Sequence, residues 1–420
     1  MKVSINTYGC TLNQADSDIV ENILKSNGID VEREGENSDI LIINTCTVKT
    51  PTEQKIIEHI KRLKNKKLIL MGCLASTNKE KLLRYAPNAS IVTNANLDKI
   101  ALVVEQVANG KQVIFDKFNL LEKPSLIPDK NEIIARIPIS EGCLSNCTFC
   151  ETKFARGPLH SFDEKLILKA IERSVNNGAK EIELTSQDIG AYGLDKKTNI
   201  AELLKRAIEI NGDFKIRVGM LNPEHLHRYI DDLIEVMKSD KIYKFLHLPV
   251  QSGSNKVLAD MKRNYTIEEF DSYIEAFRKT FRDITLATDI IVGYPTETDN
   301  DFDNTKELLE RDRFLVVNIS KFGPRPHAPA SRLKQLENKI IKKRSIEIFR
   351  LVRRIQHSLL KQYLGSFEEV LITEMSTTPK GRDQYYRTVI LDKGAIGEKY
   401  KVKIKGNTEV SLIGEAIDKI

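Results

Sequence analysis

In the first ~110 residues, short β-rich runs alternate with segments of helical spacing, and that alternation predicts a parallel sheet layered with helices. The strand-like runs are KVSINTYG, DILIINT, KLILMG and ASIVT, with helices predicted over 14–26, 52–64, 79–85 and 97–108. Three of the runs share an ending: INTYGC stops at Cys10, LIINTC at Cys46 and LILMGC at Cys73. Ligands of open parallel sheets bind at the carboxyl edge of the strands, so three thiols far apart in sequence are expected to converge there. The plainer alternative is three unrelated buried cysteines, since a free Cys packs as a small apolar residue.

A less regular stretch with Pro124, Pro128 and Pro138 follows, and a boundary is expected near Ile127. The alternation then resumes through EIIARIPIS, KEIELTS, FKIRVGM, KFLHLPV, ITLATDIIVG and FLVVNISKF, with helices over 162–177, 200–210 and 225–239. Six such units predict a barrel or partial barrel whose working end is the carboxyl edge of its strands. The last ~55 residues change to EEVLITEM, YRTVILD, KYKVKIKG and EVSLIGEAI between Gly, Pro and Asp turns, which reads as a small antiparallel β-barrel. The expected divisions are 1–126, 127–330, a helical connector at 331–365, and 366–420.

The first barrel strand leads into EGCLSNCTFC, where Cys143, Cys147 and Cys150 have the spacing C-x3-C-x2-C. A structural zinc site wants four protein ligands, usually in two pairs, so this triple leaves a position uncovered. A cubane iron–sulfur cluster has four irons, each normally taking one thiolate, and three cysteines leave one iron open. That iron could bind S-adenosylmethionine and support its reductive cleavage, chemistry that the protein chiefly positions and shields. A redox-sensing or zinc-binding loop is the competing reading.

Six cysteines are few for 420 residues and sit in motifs, which favours reduced thiolates over a secreted disulfide framework. No apolar run is long enough to span a bilayer, and MKVSINTYGC does not look like a leader, so a cytoplasmic protein with no membrane partner is expected. The net charge of +6 is mild, but residues 331–365 carry ten Lys or Arg against two acids, Glu337 and Glu347. Ile348, Leu351, Val352, Ile355 and Leu359 keep helical spacing there. The segment is therefore either a solvated amphipathic face or an attachment for a polyanion such as RNA.

The cysteine loop, its barrel context and the upstream trio resemble the radical-SAM methylthiotransferases. GCLSNCTFCETKFARGPLHS looks most like the archaeal and eukaryotic branch that modifies threonylcarbamoyladenosine in tRNA. TYGCTLNQADSD, INTCTVKTPTE, MGCLA, LTSQDIGAYG, LPVQSGSN, DIIVGYPTET and FGPRPHAPAS extend the likeness over essentially the whole chain. The resemblance implies an N-terminal α/β domain, a partial (β/α)6 radical-SAM barrel and a C-terminal RNA-binding TRAM-like barrel. It also implies two [4Fe-4S] clusters, a radical cluster on Cys143, Cys147 and Cys150 and an auxiliary one on Cys10, Cys46 and Cys73.

The reaction implied by the family replaces C2–H of the adenine by C–SCH3. One S-adenosylmethionine methylates sulfur held at the auxiliary cluster, and a second yields the 5′-deoxyadenosyl radical that takes the hydrogen. The partners implied are tRNA, an electron donor and a sulfur donor. Related enzymes act on isopentenyladenosine in tRNA or on a ribosomal-protein aspartate, and a non-catalytic iron–sulfur RNA-binding protein is an alternative of another class.

Ser186, Gln187 and Asp188 after the second barrel strand, and Gln251 after the fourth, suit the methionine or ribose ends of the cofactor, or are ordinary turn and cap residues. Asp289 and Gly293 follow in the fifth strand region, where the glycine would admit adenine or serve packing. Phe149 would cover the adenine or wedge the loop. Arg156, Arg325, Lys342, Lys343 and Arg344 are candidates for anionic substrate groups, with surface solvation as the alternative. Asn13 and Asn44 are read as caps or loop bridges, and His247 as a satisfied core histidine.

Overall fold

The computed structural model describes residues 1–117, 119–128 and 131–420. The N-terminal layer is a six-stranded, wholly parallel sheet of β1 (Lys2–Thr7), β2 (Asp30–Arg33), β3 (Ile40–Thr45), β4 (Lys67–Gly72), β5 (Ser90–Val92) and β6 (Ile114–Phe115), in the order β2-β1-β3-β4-β5-β6. Successive side chains serve opposite faces. Ile40 and Ile42 join the core under the helices Thr11–Ser26 and Ile100–Ala108, while Leu41 and Ile43 pack with Ile56, Ile60 and Leu82 on the other side. β2 and β6 escaped the sequence reading because DVER is polar and IF is only two residues long.

The second unit contains β7 (Ile134–Pro138), a hairpin of β8 (Ser140–Glu141) with β9 (His160–Ser161), then β10 (Glu181–Thr185), β11 (Lys215–Arg217), β12 (Phe245–His247), β13 (Thr285–Val292) and β14 (Val316–Lys321). Parallel pairing runs β7-β10-β11 and β12-β13-β14, and a bridge between Ile216 and Ile242 joins the two halves into an open six-strand arc. Ile182, Leu184, Ile216, Leu246, Leu286 and Ile290 belong to the apolar core beneath the outer helices. The alternate positions present Arg136, Glu183, Arg217, His247, Asp289 and Asn318 to the concave side. The helix predicted over 225–239 is two, Pro223–Leu226 and Ile230–Val236. Between them the buried Tyr229 leaves helical geometry and donates its hydroxyl to the Gly190 carbonyl at 2.7 Å.

The connector forms one 24-residue helix, Asn338–Lys361, which buries Ile341, Arg344, Ile348, Leu351, Val352, Gln356 and Leu360. It lies along β13, β14 and the helix Asp299–Asp312. The chain ends in a closed barrel of β15 (Phe367–Met375), β16 (Pro379–Arg382), β17 (Thr388–Leu391), β18 (Lys399–Asn407) and β19 (Leu412–Lys419), ordered β15-β16-β17-β19-β18. It is antiparallel except for the parallel β17–β19 pair. β16 was not foreseen, since PKGR carries both a Pro and a Gly.

Candidate active site

The three strand-end cysteines come together as the sheet predicts. Cys10 caps the helix after β1, Cys46 follows β3 directly, and Cys73 opens the helix after β4. Two glycines let these turns close up. At Gly72 (φ +91°) a Cβ would stand 2.3 Å from the Thr45 carbonyl, and at Gly9 (φ +119°) it would meet Asn13 at 2.8 Å and the Cys46 Cβ at 3.0 Å. Asn13 donates to the carbonyls of Tyr8 (2.8 Å) and Thr45 (2.9 Å), and Asn44 to the Asn13 carbonyl and the Ser17 hydroxyl, both at 2.8 Å. These two asparagines therefore bridge the loops.

Cys143, Cys147 and Cys150 occupy a loop held from several sides. The Cys143 amide donates to the Gly157 carbonyl at 3.2 Å, Thr148 donates from its amide to Met261 at 3.1 Å, and the Ala330 amide donates to the Thr148 carbonyl at 2.9 Å. Phe149 packs with Val257, Met261, Tyr294, Phe322 and Ala330, so it wedges the loop.

Burial pushes the thiols of Cys46 and Cys143 up to about 12 and raises those of Cys73 and Cys150, with neighbouring thiols of the same trio adding to most of these shifts. Such sulfurs ionise when a bound cationic centre supplies compensating charge. Hydrogen-bond donors already point at them: the Val48 amide at Cys46 (3.4 Å), the Thr152 amide at Cys150 (3.3 Å), Arg156 Nε at Cys73 (3.3 Å) and Arg263 Nη1 at Cys147 (3.5 Å). Donors to sulfur are what a thiolate-held cluster uses to set its charge and potential. Among the described residues no three His, Cys, Asp or Glu side chains close around a single metal ion. A cubane instead spreads its thiolates over separate irons, and both trios fit that demand.

The two trios are tied to one another. Thr47, next to Cys46, donates its hydroxyl to the carboxylate of Glu151, next to Cys150. Arg156, six residues beyond Cys150, reaches Cys73 and pairs with Asp16 at 2.8 Å and Glu141 at 2.7 Å, while Lys123 pairs with the same two carboxylates at 2.6 Å each. Two cations and two anions thus balance between the N-terminal layer and the barrel. Sequence reasoning missed Asp16, Lys123, Glu141, Thr47, Glu151 and Arg263 as members of the site. Adjacency to a cysteine was a usable signal for Thr47 and Glu151, whereas nothing in local spacing marks Lys123 or Arg263.

Several expectations need correction. Arg156 is not poised for a substrate anion, because its guanidinium is spent on Asp16, Glu141, Asn13 and Cys73. Arg325 is likewise buried, paired with Glu53 and donating to the Val48 carbonyl at 3.0 Å, where it docks the barrel's last loop on the N-terminal layer. Arg344 faces inward onto Glu297 (2.6 Å) and Asp299 (2.7 Å), leaving Lys342 and Lys343 exposed without it. At Gly293 the place of a Cβ is taken by Ile341 at 2.6 Å, so the glycine admits the connector helix rather than an adenine.

The remaining candidates lie at the carboxyl edge. Asp188 accepts from the amides of Gly190 and Asn222, both at 2.9 Å, and Ser186 accepts from the Asp188 amide at 3.1 Å. Gln187 Oε1 is buried without a partner among the described residues. Gln251, at φ 70°, bridges in parallel to Ile290. His247 shares Asp289 with Asn318, at 3.0 and 2.8 Å. Burial works against the Asp289 charge, but the hydrogen bond and charge of His247, the Asn318 amide and the nearby Lys49 hold its carboxyl below the ordinary range. His247 is thus satisfied, but on the concave side rather than in the apolar core.

Residues 137–309 match the Radical SAM superfamily, and residues 2–94 match the family described as Uncharacterized protein family UPF0004. The radical S-adenosylmethionine methyltransferase TsrM from Kitasatospora setae has a similar fold, with a TM-score of 0.57 at 14% identity over 79% of this chain and 75% of that one. Fold and cysteine loop define a radical-SAM enzyme, a class that implies S-adenosylmethionine and a four-iron cluster. Proteins named probable threonylcarbamoyladenosine tRNA methylthiotransferase are 43% identical in Archaeoglobus fulgidus, over 99% of this chain and 98% of the relative, and 40% identical in Pyrococcus abyssi, over 99% and 100%. The human threonylcarbamoyladenosine tRNA methylthiotransferase is 33% identical over 93% of this chain and 69% of its own length. The chain belongs to the threonylcarbamoyladenosine tRNA methylthiotransferase family and is a transferase.

Proposed function

We propose that the protein converts N6-threonylcarbamoyladenosine, next to the anticodon of tRNA, to its 2-methylthio derivative. The observation that carries this reading is the pairing of two thiol trios across one interface, joined through Thr47–Glu151 and Arg156–Cys73. In it, Cys143, Cys147 and Cys150 hold one four-iron cluster, and Cys10, Cys46 and Cys73 hold a second. Bound there, the clusters and S-adenosylmethionine supply the reducing electron, the radical that removes the C2 hydrogen, and the methylthio group.

The chain's own residues position and shield. Ser186, Gln187, Asp188 and Gln251 line the carboxyl edge where the cofactor would lie, and the unpartnered Gln187 oxygen is free to accept from it. Phe149 keeps its loop rigid. The ion-pair cluster fixes the separation of the two trios. Lys342 and Lys343, exposed on the connector helix, and the TRAM-like terminal barrel take the tRNA body. Divisions at 1–126, 127–330, 331–365 and 366–420 follow these roles. External electron and sulfur donors complete the reaction, and a cytoplasmic location fits a tRNA substrate; no helix among the described residues is long and apolar enough to cross a membrane.

The test is mass spectrometry of tRNA nucleosides from cells lacking the protein. Loss of the 2-methylthio nucleoside with accumulation of threonylcarbamoyladenosine is expected. A loss confined to an isopentenyl-type nucleoside would move the substrate, and an unchanged nucleoside profile would overturn the reading.

A further inference from the structure

The concave side of the partial barrel is unusually polar for a fold whose interior is normally filled by branched apolar side chains. Most of its charged groups are already matched. Arg136 pairs with Glu183 (3.4 Å) and Asp18 (3.3 Å), and His247 and Asn318 share Asp289. Glu181 and Glu183 share the single hydroxyl proton of Tyr386, at 3.2 and 3.1 Å.

Arg217 is the exception. Among the described residues it makes no hydrogen bond or ion pair, and its buried Nε has no acceptor. Register sets it beside Glu183, which is already engaged by Arg136 and Tyr386. Its guanidinium instead lies 5.5 Å from the Phe245 ring centre and 5.7 Å from that of Tyr386. Stacking on two rings holds the plane of an arginine while leaving its N–H edge free, and a buried N–H without an acceptor costs free energy until something fills it. A planar fork of donors matches a carboxylate.

Residues from both neighbouring units approach this concave side. Tyr386, carried by the terminal barrel, packs against Tyr243 at 4.9 Å and Phe245 at 5.0 Å near the amino ends of the strands. Lys49, three residues beyond Cys46 on the N-terminal side, adds its charge to those that lower the Asp289 carboxyl. On this concave side Arg217 Nε is a buried donor with no acceptor among the described residues.

We propose that Arg217 binds the carboxylate of the threonylcarbamoyl group and thereby selects the modified base over an unmodified one. The proposal rests on the substrate reading above. Threonine linked through its nitrogen keeps a free carboxylate, and no plain or isoprenylated adenine offers one. Engaging it on the concave side of the barrel fixes the N6 substituent and so orients the ring carrying C2.

The experiment uses reconstituted full-length enzyme and two forms of one tRNA, one bearing threonylcarbamoyladenosine and the other its methyl ester, which removes only the negative charge. Wild type is expected to favour the acid by roughly 10- to 100-fold in kcat/KM, the scale of a charge-assisted hydrogen-bonded pair. Arg217→Met should bring the two substrates to within about threefold of each other, by losing activity on the acid, and Arg217→Lys should restore part of the preference. Full acid preference in a folded Arg217→Met protein overturns the assignment. Should that variant not fold, wild type alone decides, since equal turnover of acid and ester overturns it too. Turnover of neither form by wild type overturns the methylthiotransferase reading and this inference with it.

Discussion

Arg156 Nε donates to the sulfur of Cys73 at 3.3 Å, although the two residues belong to different units of the chain and are 83 positions apart. The arginine sits on the loop of the first barrel strand, the cysteine on the edge of the N-terminal sheet. The barrel thereby contributes to the thiol environment of the N-terminal sheet.

Removing that guanidinium strands buried charge. Arg156→Met is expected to lower stability by about 3–5 kcal/mol, because Asp16 and Glu141 are left with Lys123 as their shared cation. Urea unfolding of the variant, beside the compensated pair Asp16→Asn with Arg156→Met, checks this. The double variant should recover part of the loss, and a lack of recovery would place the cost in packing rather than charge.

Iron content separates the trios. Replacing Cys143, Cys147 and Cys150 together with Ala should leave about half the iron per chain, and replacing Cys10, Cys46 and Cys73 should leave the other half. Cys46→Ala should still release 5′-deoxyadenosine under reducing conditions while methylthio product disappears. Cleavage abolished in a protein whose other cluster is spectroscopically intact would contradict this division.

Glu181 gives a pH signature. Burial first, then the neighbouring Glu183, raises its carboxyl to about 7 from an ordinary 4.5, against the hydrogen bond from Tyr243. The fold therefore favours the protonated form. That stability is fully present below about pH 4.5 and is lost as pH rises through about 7, by up to about 3 kcal/mol. Denaturation midpoints at pH 5 and pH 8 should fall for wild type and change less for Glu181→Gln.

The connector helix carries exposed charge at Lys342 and Lys343 and buried, paired charge at Arg344. Reversing Lys342 and Lys343 to Glu should weaken tRNA binding and make its salt dependence shallower by about one to two phosphate contacts, with iron content unchanged. Arg344→Glu should instead lower thermal stability, since it would set a third carboxylate against Glu297 and Asp299. Filter-binding titrations across salt, alongside melting curves, distinguish the two. Identical affinity and slope in the double reversal would assign those lysines to solvation.

The parts of the fold that repeat along the chain were legible in the sequence. Strand alternation marks six barrel strands, and the cysteines at the ends of β1, β3 and β4 announce a shared edge. Short or polar strands were not legible: DVER in β2 and PKGR in β16 pair because neighbours present open edges, not because their residues ask for it. The arginines failed for a related reason. Local sequence makes Arg156, Arg325 and Arg344 look exposed, and only the distant Asp16, Glu53 and Glu297 explain why they are buried. Charge count along residues 331–365 could not say which cations face outward, whereas the helical spacing of Ile341, Arg344 and Ile348 could have.

Tyr386 is held in the left-handed backbone region, at φ 60°, a conformation that costs a bulky residue about 1–2 kcal/mol. Its ring reaches from the terminal barrel to Glu181, Glu183 and Phe245 on the concave side. The terminal barrel is for that reason a stopper, whatever it contributes to RNA binding. Trimming the chain at residue 365 would remove Tyr386 and bare Glu181, Glu183 and Arg217 to water, so a truncated enzyme that binds tRNA poorly and one that has lost its interior would be the same molecule. Point changes on the outer surface of the barrel, made with Tyr386 in place, are the way to ask whether it grips RNA.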